Sequence, residues 1–182
     1  LKRLGKTRKP ILLSSGMSSF EELETSIVFL RKFGNPLTIM QCTSKYPTGP
    51  KDWGLNVIQE LKNRFELPVG FSDHSGTIYA SLAAAVMGAE VFEFHVVFDK
   101  RQFGPDVSSS ITIDQVKILT EGIKAIQTAM NNPLNKNNIS QCEDLKKMFG
   151  KSLSVNKNKK AGEIIKFEDL ESKKPSEYGI SA

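Results

Sequence analysis

The chain has two histidines, His74 and His95, and each stands at the end of a short apolar run. Val69-Gly70-Phe71-Ser72-Asp73 leads into His74, and Val91-Phe92-Glu93-Phe94 leads into His95. Neutral imidazoles from neighbouring parallel strands can share one divalent metal, and a carboxylate nearby can orient a bound water. Two histidines by themselves also suit hydrogen-bonded positions in a core. Three hydroxyls, Ser14, Ser44 and Ser72, end or follow such runs. With backbone N–H groups at helix N-termini they would suit a phosphate, and singly each serves as a loop cap. Gly104-Pro105-Asp106 lies in a long polar stretch, residues 98–111. A connection of that length usually carries function. It reads either as a plain turn or as a device that places Asp106 where it accepts hydrogen bonds from a polyol.

The elements that must position these residues recur along the chain. Apolar runs at residues 10–14, 37–42, 68–72 and 90–97 are each followed by a turn and a segment of helical period. That alternation predicts βα units and a parallel sheet. Ser18 and Glu21 form a capping-box pattern, and Phe20, Leu23, Ile27 and Leu30 then recur at helical spacing up to Gly34-Asn35-Pro36. Further helices are predicted over residues 55–65, over residues 77–87, where alanines allow close packing on a sheet, and from a second capping box, Thr112 to Gln115. In such folds the working residues sit at the carboxyl ends of the strands. The histidines, serines and Glu93 gather at that end.

Composition fits one core plus a small appendage. The chain has 182 residues, is 39% hydrophobic and carries a net charge of +5, concentrated towards its ends. The basic runs lack interleaved aromatics, so nucleic acid is not expected as a partner. There is no apolar run long enough for a membrane span and no secretory leader pattern, and Cys42 and Cys142 match no zinc spacing. A cytoplasmic protein with reduced thiols is the expectation.

In order and spacing, KPILLSSGM, QCTSKYP, VGFSDHS, LAAAVMGAEVFEFH and FGPD resemble the N-acetylneuraminate (sialic acid) synthase family. FGKSLSVNKNKKAGEIIKFEDLESKKP resembles the opening of that family's C-terminal antifreeze-like (SAF) domain. The DKRQFGPD form is closer to bacterial nonulosonate synthases than to animal enzymes acting on a sugar 6-phosphate. The resemblance implies an α/β fold: the C-terminal half, strands five to eight, of a TIM-type (β/α)8 barrel over residues 1–131. A linker over 132–150 and an incomplete SAF β-clip domain over 151–182 would follow. It implies a transferase that condenses phosphoenolpyruvate with N-acetylmannosamine or a related acetamido sugar. C3 of phosphoenolpyruvate attacks the open-chain aldehyde, water adds at C2, and phosphate leaves by C–O cleavage. A divalent metal, Mn2+ or Mg2+, polarises the aldehyde.

Carried over by position, His74 and His95 resemble the metal ligands, and Glu93 the catalytic carboxylate near the metal water. Ser14 and Ser72 match phosphate-contacting serines, and Ser44 falls where some members have asparagine. Tyr46 and Asp106 match residues that hold the sugar. Lys174 stands where many members have an arginine that reaches across a homodimer to the neighbouring sugar. Lysine keeps that charge but loses the bidentate fork.

The family's strands one to four carry a water-activating glutamate, a lysine and glutamine pair and a phosphate-binding lysine, and these have no counterpart here. The chain is therefore expected to be a synthase half that is inactive alone. The alternative is a non-catalytic half-barrel remnant that binds metal or anions. Four strands in half a barrel also predict a bared apolar inner face, drawn from Ile11, Leu13, Leu37, Ile39, Val69, Phe71, Val91 and Val96, and hence self-association.

Overall fold

The structure, a computed structural model, describes residues 1–138 and 140–181. It divides into two compact units, Leu1–Pro133 and Leu134–Ala182. After a short helix α1 (Lys2–Gly5), the first unit alternates β1 (Ile11–Ser14), α2 (Phe20–Arg31), β2 (Leu37–Cys42), α3 (Leu55–Phe65), β3 (Val69–Asp73), α4 (Tyr79–Val86) and β4 (Phe92–Val97). It closes with β5 (Ser110–Thr112) and α5 (Ile113–Asn131). The strands form one parallel sheet in sequential order, β1-β2-β3-β4-β5.

The four anticipated strands are all present, and the fifth was not anticipated. Ser110-Ile111-Thr112 has no apolar run to announce it. It is a strand because His95, Val96 and Val97 offer it a ladder, with His95 opposite Ser110. The capping box of α2 also sits one residue later than expected. The N-cap is Ser19: Glu22 N–H donates to Ser19 Oγ at 3.3 Å, and Ser19 N–H donates to Glu22 Oε2 at 2.8 Å. Ser18 instead closes a turn on Ser15 O at 3.1 Å. The Thr112–Gln115 box that starts α5 is as predicted.

One face of the sheet is covered by helices. Ile11, Leu37, Ile39, Val69 and Phe71 pack against Leu23, Ile27 and Leu30 of α2, Ile58, Leu61 and Phe65 of α3, and Ala80 and Ala84 of α4. A second cluster joins Ala85, Ile111, Leu119 and Ile123 under α5. The expected alternation of apolar side chains between two faces is therefore lopsided. Five of the eight named residues are buried beneath the helices, and Leu13 packs partly with them. The opposite face carries both polar and apolar side chains. It forms a concavity of about 480 Å³ whose lining includes Leu12, Ser14, Met40, Val91 and Glu93. Leu12 is 56% exposed there, whereas Met40 is buried and lies over Gly70. Val96 is half-exposed.

In the second unit, β6 (Ser152–Val155) pairs antiparallel with β7 (Leu170–Lys173) and β8 (Ile180–Ser181). The stretch expected as a linker, residues 132–150, contains a helix, α6 (Glu143–Phe149). Glu143 and Asp144 in its first turn and Lys146 and Lys147 in its last complement the helix dipole, a local signal that the surrounding asparagines obscure. Asp169 is buried and accepts from Lys157 Nζ at 2.8 Å, from Lys159 Nζ and from Lys166 N–H at 3.1 Å. Among the described residues, no helix is long and apolar enough to cross a membrane.

Candidate functional site

Three rings meet where the loops after β2 and β3 carry Tyr46 and His74 up to His95, which lies inside β4 rather than at its end as the sequence reading expected. Centroids of His74 and His95 are 5.1 Å apart and nearly perpendicular, and the Tyr46 ring lies 4.1 Å from His74 and 5.7 Å from His95. Parallel register brings this about. Cys42 stands opposite Ser72, and Ser72 opposite Glu93, so the loops after β2 and β3 begin at the height at which β4 passes His95.

His74 is buried and held at both ring nitrogens. Nδ1 lies 2.8 Å from Thr43 O and 3.1 Å from Thr43 Oγ1, and Nε2 lies 2.9 Å from Tyr46 Oη. A carbonyl can only accept, so this network assigns the proton to Nδ1 and leaves the Nε2 lone pair facing the cluster. The turn beneath is fixed by Asp73. Its carboxylate accepts from Ser75 N–H at 2.7 Å and from Ser81 Oγ of α4 at 2.8 Å, so Asp73 is spent on structure. His95 Nδ1 lies 3.6 Å from Asp106 Oδ2, ion-pair range but beyond a direct hydrogen bond. A carbonyl on Nδ1 turns the His74 ring so that Nε2 points into the cluster, where it accepts from Tyr46 Oη.

The local field is negative. Partial burial pushes the Tyr46 phenol above its ordinary range, and charge on Cys42, Asp106 and Glu93 adds to the shift. Such a field favours a cation. Among the described residues, no three His, Cys, Asp or Glu side chains converge as a metal cage.

The other expected site residues fall into three places. Ser14, Ser72 and Glu93 belong to the concave face. Ser14 and Glu93 line the concavity, while Ser72 is buried between Cys42 and Glu93 in the ladder. Ser44 is exposed beside the loop after β1, its Oγ 3.6 Å from the position of a Cβ on Gly16. Lys174 lies in the second unit, its Nζ 4.9 Å over the Phe149 ring. Two contributors carried no advance signal. Thr43 orients His74, and Lys100 donates to Gly76 O, Val107 O and Ser110 O. Both occur inside motifs already singled out, QCTSKYP and DKRQFGPD, but nothing in the sequence states their partners.

Known proteins resemble this chain in sequence and fold. The chain is 38% identical to the N,N'-diacetyllegionaminic acid synthase of Campylobacter jejuni over 100% of its own length and 55% of that protein. It is 32% identical to a pseudaminic acid synthase of the same species, over 97% of its length and 51% of the relative. The chain thus spans about half the length of the curated relatives it matches. Its fold superimposes on the N-acetylneuraminic acid (sialic acid) synthetase of Leptospira borgpetersenii with a TM-score of 0.71 at 29% identity, covering 79% of this chain and 50% of that one. The NeuB family pattern matches residues 1–135, a stretch that contains every element from α1 to α5 and the whole ring cluster, and the chain belongs to the NeuB family.

Proposed function

We propose that this chain is the sugar-side and metal-side part of a nonulosonate synthase, the C-terminal half of a (β/α)8 barrel followed by an SAF-like unit. The observation that carries the reading is the cluster of His74, His95, Tyr46 and Asp106, drawn from β4 and from the loops that follow β2, β3 and β4. A divalent metal, Mn2+ or Mg2+, held by His74 and His95 would supply Lewis-acid polarisation of an aldehyde oxygen. Thr43 and Asp106 keep the two imidazoles turned the right way for that task. Tyr46 and Asp106 hold hydroxyls of the open-chain acetamido sugar. Ser14, Ser44 and Ser72 face the phosphate of phosphoenolpyruvate, and Glu93 orients the water that adds at C2. The new bond joins C3 of phosphoenolpyruvate to the aldehyde carbon, and the bond that breaks joins C2 to the phosphate oxygen. The chemistry is that of a cytoplasmic transferase, homodimeric if Lys174 reaches a neighbouring sugar.

The test uses the full-length protein. Phosphate release from phosphoenolpyruvate is expected with N-acetylmannosamine or a 2,4-diacetamido sugar as acceptor. Calorimetric titration with Mn2+ should show His74→Ala and His95→Ala binding at least about tenfold more weakly than wild type, the lower end of what even outer-shell partners cost. Equal affinity in wild type and both variants would sink the metal assignment.

A further inference from the structure

Asp106 reaches His95 from a long exposed loop, and that loop is held in place by a cation. Lys100 Nζ donates to Gly76 O at 3.1 Å, to Val107 O at 3.4 Å and, at closer range, to Ser110 O. The three carbonyls come from two segments. Gly76 lies two residues beyond His74 in the loop after β3. Val107 adjoins Asp106, and Ser110 opens β5 opposite His95. An ammonium presents three donors in a tetrahedral array, a match for three converging carbonyls that a planar guanidinium lacks. The flanking charges do not compete, because Arg101 folds back on Asp99, Nε to Oδ1 at 2.9 Å.

The same junction is tight elsewhere. Gly76 has a left-handed backbone, and an added Cβ would fall 2.1 Å from Ser108 O, so the two loops are in direct contact. Ser110 Oγ and Ser109 N–H both donate to Asp106 O, at 2.7 Å and 3.0 Å. Asp106 is thus fixed through its carbonyl and its neighbour through Lys100, so the backbone that carries the carboxylate is held beside His95.

We propose that Lys100 is a positioning residue. Its ammonium fills a three-carbonyl cage that locks the loop after β3 to the loop after β4, and so sets the separation between His74 and the Asp106–His95 pair. When the side chain is removed, the cage takes a small ammonium ion in its place. The proposal deepens the reading of the site as a sugar-binding synthase centre and rests on it for its kinetic consequence.

The experiment compares wild type, Lys100→Ala and Lys100→Arg in the full-length protein by amide hydrogen exchange and steady-state kinetics. In Lys100→Ala, amide protection over residues 106–112 should fall about tenfold, the scale expected for losing hydrogen bonds from a charged donor. KM for the acceptor sugar should rise about tenfold while KM for phosphoenolpyruvate changes less than about twofold. Ammonium or methylammonium chloride should restore both readouts, and sodium chloride at equal ionic strength should not. Lys100→Arg should fall between the two. Unchanged protection in Lys100→Ala, equal responses to ammonium and sodium, or loss of protection across the whole first unit in both variants would each overturn the proposal. Should wild type show no condensation with any acceptor, the exchange arm still decides the role of Lys100, so the two readings fail separately.

Discussion

Gly76→Ala perturbs the junction between the two site loops most directly. At Gly76 φ is +67°, and an added Cβ meets Ser108 O at 2.1 Å and its carbonyl carbon at 3.1 Å. Both are backbone atoms of a stretch held by Lys100 and Ser110, so no flexible side chain can swing aside. Ordinary van der Waals separation requires the loops to part by more than about 1 Å. That movement breaks the 3.1 Å bond from Lys100 to Gly76 O. The left-handed backbone costs a residue with a Cβ about 1–2 kcal/mol, and loss of the hydrogen bonds from a charged donor adds about 1.5–3 kcal/mol. The expected destabilisation is therefore about 2.5–5 kcal/mol. Gly34→Ala is the internal control. Its φ is +71°, but no atom lies within 4 Å of the added Cβ, so only the backbone cost of about 1–2 kcal/mol remains. Urea denaturation followed by Trp53 fluorescence reads both, because Trp53 packs against the first unit's core. If Gly76→Ala and Gly34→Ala were destabilised equally, the close approach of the loops would carry no energy and the reasoning would be refuted.

Phe71 is fully buried between the sheet and its helices, and Phe71→Ala is expected to cost about 3–5 kcal/mol, read as a lower urea midpoint at unchanged slope. A loss below about 1 kcal/mol would remove β3 from the core. In the second unit, hydrogen bonds from Lys157, Lys159 and the Lys166 N–H hold the Asp169 carboxyl well below its ordinary range. A carboxyl depressed in the folded state stabilises it fully above the unfolded value of about 3.9 and loses that contribution as pH falls below it. Melting of the second unit in wild type should therefore drop below about pH 4, while Asp169→Asn is less stable at pH 7 and flatter with pH. Parallel pH profiles for the two proteins would contradict this.

Much of the first unit was legible because its signals are local. An apolar run, a turn and a helical period lie next to one another in the chain, and they locate β1 to β4, α3 and α5. The same locality places His74 at a strand end, where an apolar pattern breaks into polar residues, whereas His95, also expected at a strand end, sits inside β4 with Val96 and Val97 after it. Ambiguity entered where two local patterns overlap: Ser18-x-x-Glu21 and Ser19-x-x-Glu22 both read as capping boxes, and only the turn that engages Ser18 selects the second. β5 was invisible because three residues of mixed polarity become a strand only when β4 supplies a partner. The orientation of the site lay beyond the sequence altogether. Thr43 is 31 residues from His74, and Lys100 is 24 from Gly76. No periodicity encodes such pairs. They meet because parallel register sets successive strand ends at one level, and it is there that a carbonyl from one loop chooses the tautomer of His74 and an ammonium from another fixes the reach of Asp106.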